Sequence, residues 1–229
     1  MKFALWATTI AVASVVTMPI QAQKLSDLND RLAAATQVVQ EIQATPDSGV
    51  PDSIVSKATC IAVIPSVKKA AFIVGGSYGQ GIVTCRTPNG WSAPVFIRLA
   101  GGSVGFQIGG QATDLVLVAV NDRGFQDLLK SKFKLGADAA AAAGPVGRNA
   151  AAATDLRLNA ELLTYSRSKG LFAGIDLNGA VVSQNTDDTS LFYGGDAKPF
   201  EVILHGGVVV PTGARTFVRT VARYFHAVK

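Results

Sequence analysis

Histidine and cysteine are scarce in this chain, and their scarcity limits the chemistry that it can perform. Two histidines and two cysteines occur among 229 residues. His205 and His226 stand far along the chain from either cysteine, and no second ligand follows at helical or strand spacing. The sequence therefore indicates no transition-metal site, and each histidine is interpreted as a structural or surface residue.

The chain also lacks the common phosphate-binding motifs. It has no Gly-x-x-x-x-Gly-Lys loop and no Gly-x-Gly-x-x-Gly turn that opens a helix. Residues 176–179 resemble part of a calcium loop, but the later bidentate acid is missing and a hairpin turn explains them better. We therefore expect no metal ion and no cofactor.

The apolar run near the start of the chain is too short to span a membrane. It extends from Phe3 to Thr17, about fifteen residues, whereas a spanning helix needs about 20. Met1-Lys2 precedes it, and Met18–Ala22 ends in the small residue that signal peptidase prefers. We interpret residues 1–22 as a cleaved signal peptide and residues 23–229 as one domain, periplasmic or secreted. An uncleaved N-terminal anchor is the alternative.

Charged residues are few and slightly basic in balance. They make up 16% of the chain, the formal net charge is +5 and the pI is about 9.3. The basic residues are scattered, and an exported protein does not meet nucleic acid, so nucleic acid is not expected as a partner. Acidic lipid head groups or acidic glycans fit this charge better.

The two cysteines, Cys60 and Cys85, are predicted to form a disulfide in an oxidising compartment. The bond would close a loop of about 25 residues, a constraint worth about 3.5 kcal/mol in the chain-entropy model. Two buried free thiols are the alternative.

Amphipathic helices are predicted at both ends of the chain. Apolar residues recur at three- and four-residue spacing from about Leu25 to Ala44, with Ser26 or Asp27 available as the N-cap. The polar side of this helix carries few cations, so its apolar stripe is expected to pack on the core. The other predicted helices cover residues 52–58, a short segment capped by Asn121, and Thr212–His226.

Short apolar segments punctuated by glycine predict strands between these helices. They cover residues 60–64, 71–74, 81–86, 91–99, 103–111, 113–120, 156–165 and 171–185. Asn178-Gly179 is the clearest hairpin signal, while Gly144-Pro145 predicts that the alanine-rich segment 137–153 is extended or looped. The expected fold class is α+β: a single domain with a mainly antiparallel, curved, glycine-rich sheet and helices at the N- and C-terminal ends.

Two Gly-x-Ser-x-Gly matches, 75–79 and 101–105, fit the nucleophile elbow of serine hydrolases. That elbow needs a helix directly after the serine, whereas apolar, glycine-punctuated strands are predicted after both matches. Glycine within strands permits bulges, tight bends or the close approach of a ligand. Serine hydrolysis stays a remote third interpretation, and we expect that the protein is not an enzyme.

Eight blocks of the sequence, in order, resemble the SYLF domain, the family that includes the yeast-type actin-binding domain. They are Cys60–Pro65, Lys68–Ala70, Gly75–Gly81, Trp91–Pro94, Gln107–Asp114, Lys132–Asp138, Ala143–Arg148 and Tyr165–Gly174. Eukaryotic SYLF proteins are phosphoinositide-binding modules, and some members bind and bundle actin. The resemblance covers about Leu25 to Gly195 and looks bacterial in arrangement. It implies non-catalytic binding to anionic phospholipid, whereas actin is not expected in an exported compartment.

Basic residues grouped around turns are the candidate lipid contacts: Lys68, Lys69, Lys132, Lys134, Arg148, Arg167 and Lys169. If Lys132 and Lys134 lie on a strand, their side chains share one face while Phe133 turns inward. Each cation near an anionic surface contributes about 1 kcal/mol, so several together predict salt-sensitive peripheral binding. The alternatives are solvated lysines without a ligand, and a self-associating structural or scaffolding protein of the cell envelope, a homo-oligomer.

Overall fold

The computed structural model describes residues 20–44, 49–71, 74–104, 109–146, 160–168, 171–174 and 177–226. Within these ranges the chain folds around a curled sheet of ten strands. All of its strand pairs are antiparallel except β7 with β8. The predicted α+β class, with a curved and mainly antiparallel sheet and helices near both ends, is confirmed. Most of the predicted signal peptide lies outside the described residues.

The elements follow one another along the chain without a second domain being formed by the described residues. The helices are α1 (Ile20–Ala44), α2 (Asp52–Val55), α3 (Asp122–Leu129), α4 (Thr186–Phe192), α5 (Phe200–Leu204) and α6 (Arg215–Tyr224), the last preceded by a 3-10 turn (Thr212–Ala214). The strands are β1 (Cys60–Ala71), β2 (Val74–Thr87), β3 (Gly90–Trp91), β4 (Val95–Val104), β5 (Gly109–Ala119), β6 (Lys132–Lys134), β7 (Ala141–Ala143), β8 (Leu162–Ser168), β9 (Leu171–Gly174) and β10 (Val181–Gln184).

The sheet order is β6-β10-β4-β2-β1-β5-β8-β7, with β3 paired to β2 and β9 paired to β8. Successive side chains of a strand point to opposite faces, so each central strand contributes to two hydrophobic clusters. On one side, which we call the α1 face, Ile61, Ile82 and Phe96 pack with residues of α1 and α6. On the other, the α3 face, Ile64 and Leu117 pack with residues of α3 and α5.

Strand β1 is longer than the sequence indicates, because it continues through Pro65 and Ser66. Its register against β2 shifts between Val63 and Lys68, and Ser66 has a φ of 51°. A β-bulge accommodates a proline, which cannot donate to the ladder, without ending the strand. The prediction of separate strands at 60–64 and 71–74 was therefore wrong.

Glycines of β2 make room for the bulged part of β1. A Cβ atom on Gly79 would stand 2.6 Å from Ile64 Cγ2, and one on Gly81 would stand 2.5 Å from Ile64 Cγ1 and 2.6 Å from the Val63 carbonyl oxygen. Ile64 and Val67 are fully buried and cannot move aside. Curvature and close packing thus account for these two glycines.

Two further predictions about strand pairing were wrong. Asn178-Gly179 forms a turn, with a φ of 86° at Gly179, but it does not join paired strands: β9 pairs with β8, and β10 pairs with β4 and β6. Likewise β4 runs on to Val104, and β5 pairs with β1 and β8 rather than with a strand at 103–111. In both cases partners distant in sequence compete successfully with the local hairpin.

Local capping signals performed better. The Asn121 side chain accepts a hydrogen bond of 2.9 Å from the backbone N–H of Gly124, and α3 follows as predicted. Helices α4 and α5 were not predicted, although Asn185 caps α4 in the same way, accepting from the backbone N–H of Asp188.

Cys60 and Cys85 are direct register partners on β1 and β2, and both are fully buried. Their Sγ atoms are 2.01 Å apart, so the structure contains the bond as a cross-strand disulfide between the two central strands.

The packing of Gly79 predicts an unequal response to two alanine substitutions on the same strand. Gly79→Ala drives a methyl group against Ile64 and Val67 and is expected to lower the free energy of unfolding by about 1 to 3 kcal/mol. Gly76→Ala is the matched control: its Cβ would have the Gly101 carbonyl oxygen as nearest neighbour, at 3.9 Å. We expect a change within about 0.5 kcal/mol there. Urea denaturation measures both, and equal midpoints would refute the packing argument.

Candidate functional site

A single register row crosses the sheet and carries two of the predicted basic residues. Its members, from β6 to β5, are Lys134, Val181, Ala100, Tyr78, Lys68 and Ala112. Directly paired residues of a sheet present their side chains on the same face. Tyr78 lies four residues from Ile82 along β2, so this row, which we call the exposed row, belongs to the α1 face.

The exposed row is open to solvent although the same face is covered by helices further along the strands. Tyr78 is 49% exposed, and Lys68, Ala100, Ala112 and Lys134 are also exposed. The small side chains of the two alanines leave the tyrosine ring standing above its neighbours. The result is a shallow surface with an aromatic side chain near its middle and lysines on both sides.

Strand β6 extends this surface with a second lysine. Lys132 and Lys134 are exposed, whereas Phe133 between them is buried at 2% exposure among residues of the α3 face. The predicted alternation of these three side chains is therefore confirmed. Lys132 pairs with Ser183, which pairs with Arg98, so a shorter row parallel to the exposed row begins with another cation.

Helix α1 borders the exposed row on the covered side. The Arg31 guanidinium donates hydrogen bonds to Asp188 Oδ2 at 2.7 Å and to Gln80 Oε1 at 2.6 Å, and it lies 5.6 Å from the centroid of the Phe96 ring. Gln80 is two residues from Tyr78 on the same face of β2. Arg31 thus fixes the N-terminal half of α1 next to the exposed row.

A second ion pair fixes the C-terminal half of α1 at β5 and β8. Arg167 donates to Asp114 Oδ2 through Nε at 2.8 Å and through Nη2 at 2.5 Å, and it also pairs with Glu41 of α1. Asp114 is two residues from Ala112 of the exposed row. Helix α1 therefore crosses the sheet alongside that row, anchored by Arg31 at one end and by Glu41 at the other.

Asn185 connects β4 and α4 beneath this helix. It is fully buried, its Oδ1 accepts from Arg98 Nη2 at 2.6 Å, and its Nδ2 donates to Asp188 Oδ2 at 2.6 Å. Arg98 also lies 3.6 Å from Asp187. Buried polar groups that find partners in this way favour one arrangement of the surrounding elements.

Two ionisable groups with shifted pKa values serve packing at other places. Burial lowers the pKa of Arg86, whose guanidinium donates to the carbonyl oxygens of Ala58 and Phe225 and lies 4.9 Å from the Trp91 ring centroid. Burial raises the pKa of Tyr193, whose hydroxyl donates to the Pro94 carbonyl oxygen at 2.7 Å. Both groups connect loops or helices to the sheet.

The arrangement does not support a serine nucleophile elbow at either motif. Ser77 lies within β2, where its hydroxyl donates to the Gly101 carbonyl oxygen at 3.3 Å, and Ser103 lies within β4. Neither serine stands at a turn from strand to helix, which the elbow requires. Among the described residues, no three or more His, Cys, Asp or Glu side chains form a group that could hold a metal ion.

A search of the described helices for membrane spans finds none with the length and apolarity to cross a bilayer.

The predicted contact residues fall into three groups. Lys68, Lys132 and Lys134 are exposed on one face; Lys69 follows Lys68 on β1, opposite Ser77 and Gln111. Arg167 is 24% exposed and bound to two carboxylates. Arg148 and Lys169 lie outside the described residues. Tyr78 was missed, because its exposure depends on strand register and no local pattern reports it.

Comparison with known proteins gives consistent matches. Residues 100–224 match a family described as Ysc84, Las17-binding protein actin regulator. The SH3 domain-containing YSC84-like protein 1 of Rattus norvegicus is 37% identical over 196 residues, which are 82% of this chain and 57% of that protein. The Homo sapiens protein of that name is 35% identical over 185 residues, 78% of this chain and 54% of its own length.

A fungal relative matches as well. Protein YSC84 of Saccharomyces cerevisiae is 33% identical over 177 residues, which are 76% of this chain and 37% of that protein. The chain thus spans little more than half, or less, of the length of these relatives.

The role of Arg31 as an anchor is testable by a substitution that keeps its charge. Arg31→Lys retains an ion pair with Asp188 but cannot also reach Gln80 with a planar fork. We expect the free energy of unfolding to fall by about 1 to 2 kcal/mol. Arg123→Lys, at an exposed position of α3, is the control and should have almost no effect. Urea denaturation compares them, and equal effects would contradict an anchoring role.

Proposed function

Because this chain belongs to the Ysc84 family, whose domain is also called SYLF, we propose that it acts without catalysis by binding anionic phospholipid surfaces through the exposed row. The observation that carries the proposal is the shared register of Lys134, Tyr78 and Lys68 on one solvent-facing side of the sheet. Lys132 adds a fourth contact from the adjoining row.

The width of the row favours a surface over a single ligand. Four strand spacings of about 4.8 Å separate β6 from β1, so the backbones of Lys134 and Lys68 are at most about 19 Å apart along the curled sheet. One phosphate group cannot contact both lysines at that separation. The proposed ligand is therefore a set of neighbouring head groups, and a soluble head group alone should compete poorly.

Tyr78 supplies a contact of a different kind. A tyrosine ring is apolar along its body and polar at its tip, which suits the boundary between head groups and acyl chains. Its exposed neighbours Ala100 and Ala112 are too small to shield it. In the proposed complex the ring enters the interface while the lysines remain at the level of the phosphates.

The energetics predict reversible, peripheral attachment. Lys68, Lys132 and Lys134 together contribute about 3 kcal/mol at about 1 kcal/mol each, and this contribution falls with salt. We do not include Arg167, because Asp114 and Glu41 neutralise its charge. Lys69, Arg148 and Lys169 stay candidates for the same surface.

We also propose that residues 1–22 direct export, so that the domain meets anionic phospholipids of the cell envelope in the periplasm or outside the cell. Two other roles are compared with lipid binding in the experiment below. One is self-association as a scaffold, and the other is the actin regulation that the family description names.

The test is co-sedimentation of residues 23–229 with vesicles of neutral or anionic phospholipid at low and high salt. Binding is expected only to anionic vesicles and should weaken with salt. The variant K68E/K132E/K134E should bind at least about 100-fold more weakly, since more than about 3 kcal/mol is lost. The control K57E/R123E/K198E changes the net charge equally at other exposed positions and should bind nearly as well as the unmodified chain.

Other results would redirect the interpretation. Equal loss in both triple variants would mean that net charge alone matters, and the exposed row would lose its role. Concentration-dependent mass without any lipid binding would favour the scaffold, and co-sedimentation with actin filaments but not vesicles would favour actin regulation.

A further inference from the structure

Helix α6 carries a row of arginines that the exposed row does not use. Arg215, Arg219 and Arg223 stand four residues apart and are all exposed, whereas Phe217 and Val221 are buried on the opposite side of the helix. No aspartate or glutamate follows Glu201 in the sequence. We call these three residues the arginine stripe.

The fold gains little from this arrangement. Like charges four residues apart on a helix repel one another, and Arg215 stands at the N-terminal end, where the helix dipole disfavours a cation. Within the described ranges, the ion pairs of the protein involve Arg31, Arg98, Lys130 and Arg167 but no arginine of the stripe. A stripe of cations that does not stabilise its own helix is available to an external partner.

A groove runs beside the stripe, between α1 and α6. Its volume is about 660 Å³, and Leu32 and Phe217 form its apolar part. The polar groups that line it are mainly side-chain amides and hydroxyls: Asn29, Thr36, Gln37, Gln40 and Thr216. Thr216 precedes Arg219 by three residues and Arg223 by seven, so the stripe and the groove share one edge of α6.

We propose that the arginine stripe and the groove bind an acidic segment of a protein partner. Successive arginines are separated by about 6 Å along the helix axis. Carboxylates on one side of an extended chain repeat every 6.6–6.8 Å, or about that, and those four residues apart on a helix repeat every 6 Å or so. Either form brings one carboxylate to each guanidinium, the geometry in which bidentate pairing occurs.

The neighbouring groups favour a polypeptide over a second lipid contact. Amides and hydroxyls of the groove can pair with the N–H and C=O groups of a peptide backbone. Asp27 and Asp30 are exposed on α1, and a membrane lying across both helices would bring these carboxylates against anionic head groups. The surface is also concave, which suits a narrow chain.

Fluorescence anisotropy of labelled poly-L-glutamate with the full chain tests this proposal. The variant R215E/R219E/R223E should bind at least about 10-fold more weakly, because three charge-assisted contacts become repulsive. The variant R215K/R219K/R223K should lie between it and the unmodified chain, since lysine keeps the charge but loses the fork. The control K57E/R123E/K198E, with the same net charge as the glutamate variant, should retain most of the binding.

Folding is checked by urea denaturation, and R215Q/R219Q/R223Q supplies the same comparison if the glutamate variant does not fold. Equal weakening in the stripe variant and its control would overturn the proposal, because it would reduce the interaction to net charge. Loss of anionic vesicle binding in the stripe variant, with poly-L-glutamate binding intact, would also overturn it by assigning the stripe to lipid.

Discussion

The functional surface depends on where helix α1 stops covering the sheet. Its apolar stripe buries the middle of one sheet face, and its two polar anchors, Arg31 and Glu41, contact side chains just beside the exposed row. Both anchors are partly buried, so each pairs with groups that would otherwise lose hydrogen bonds to water. The helix therefore ends its cover along a defined line, and the row beyond that line stays open.

The central strands must be long enough to extend past this line. Strand β1 achieves this through the bulge at Pro65 and Ser66, and β2 accommodates the bulge with Gly79 and Gly81. The glycines and the exposed surface are thus two consequences of one requirement, a curled sheet that is longer than its helical cover. The same covering helix forms one wall of the groove beside α6, so both proposed interaction surfaces depend on the position of α1.

Features with a local cause could be predicted from the sequence. The terminal helices follow from apolar spacing, α3 from its Asn121 cap, and the alternation of Lys132, Phe133 and Lys134 from strand geometry. Features that depend on distant partners could not be predicted. The turn at Asn178-Gly179 looked like a hairpin because its competing partners, β4 and β8, are far away in sequence. The pairing of Arg167 with Asp114 and Glu41, and the exposure of Tyr78, likewise depend on register and on the path of α1.

The central claim is that the exposed row meets the membrane, and a fluorescent probe on that row tests it most directly. An environment-sensitive fluorophore attached through Ala100→Cys lies between Val181 and Tyr78 in the row. The same fluorophore at Val209→Cys reports on a side chain that is 85% exposed in the segment after Gly206, which adjoins Thr87, about 30 Å along β2 from Tyr78. Adding anionic vesicles should shift the emission of the Ala100 probe to the blue and leave the Val209 probe unchanged. A shift only at Val209, or none at Ala100 under conditions where the protein is bound, would contradict the account.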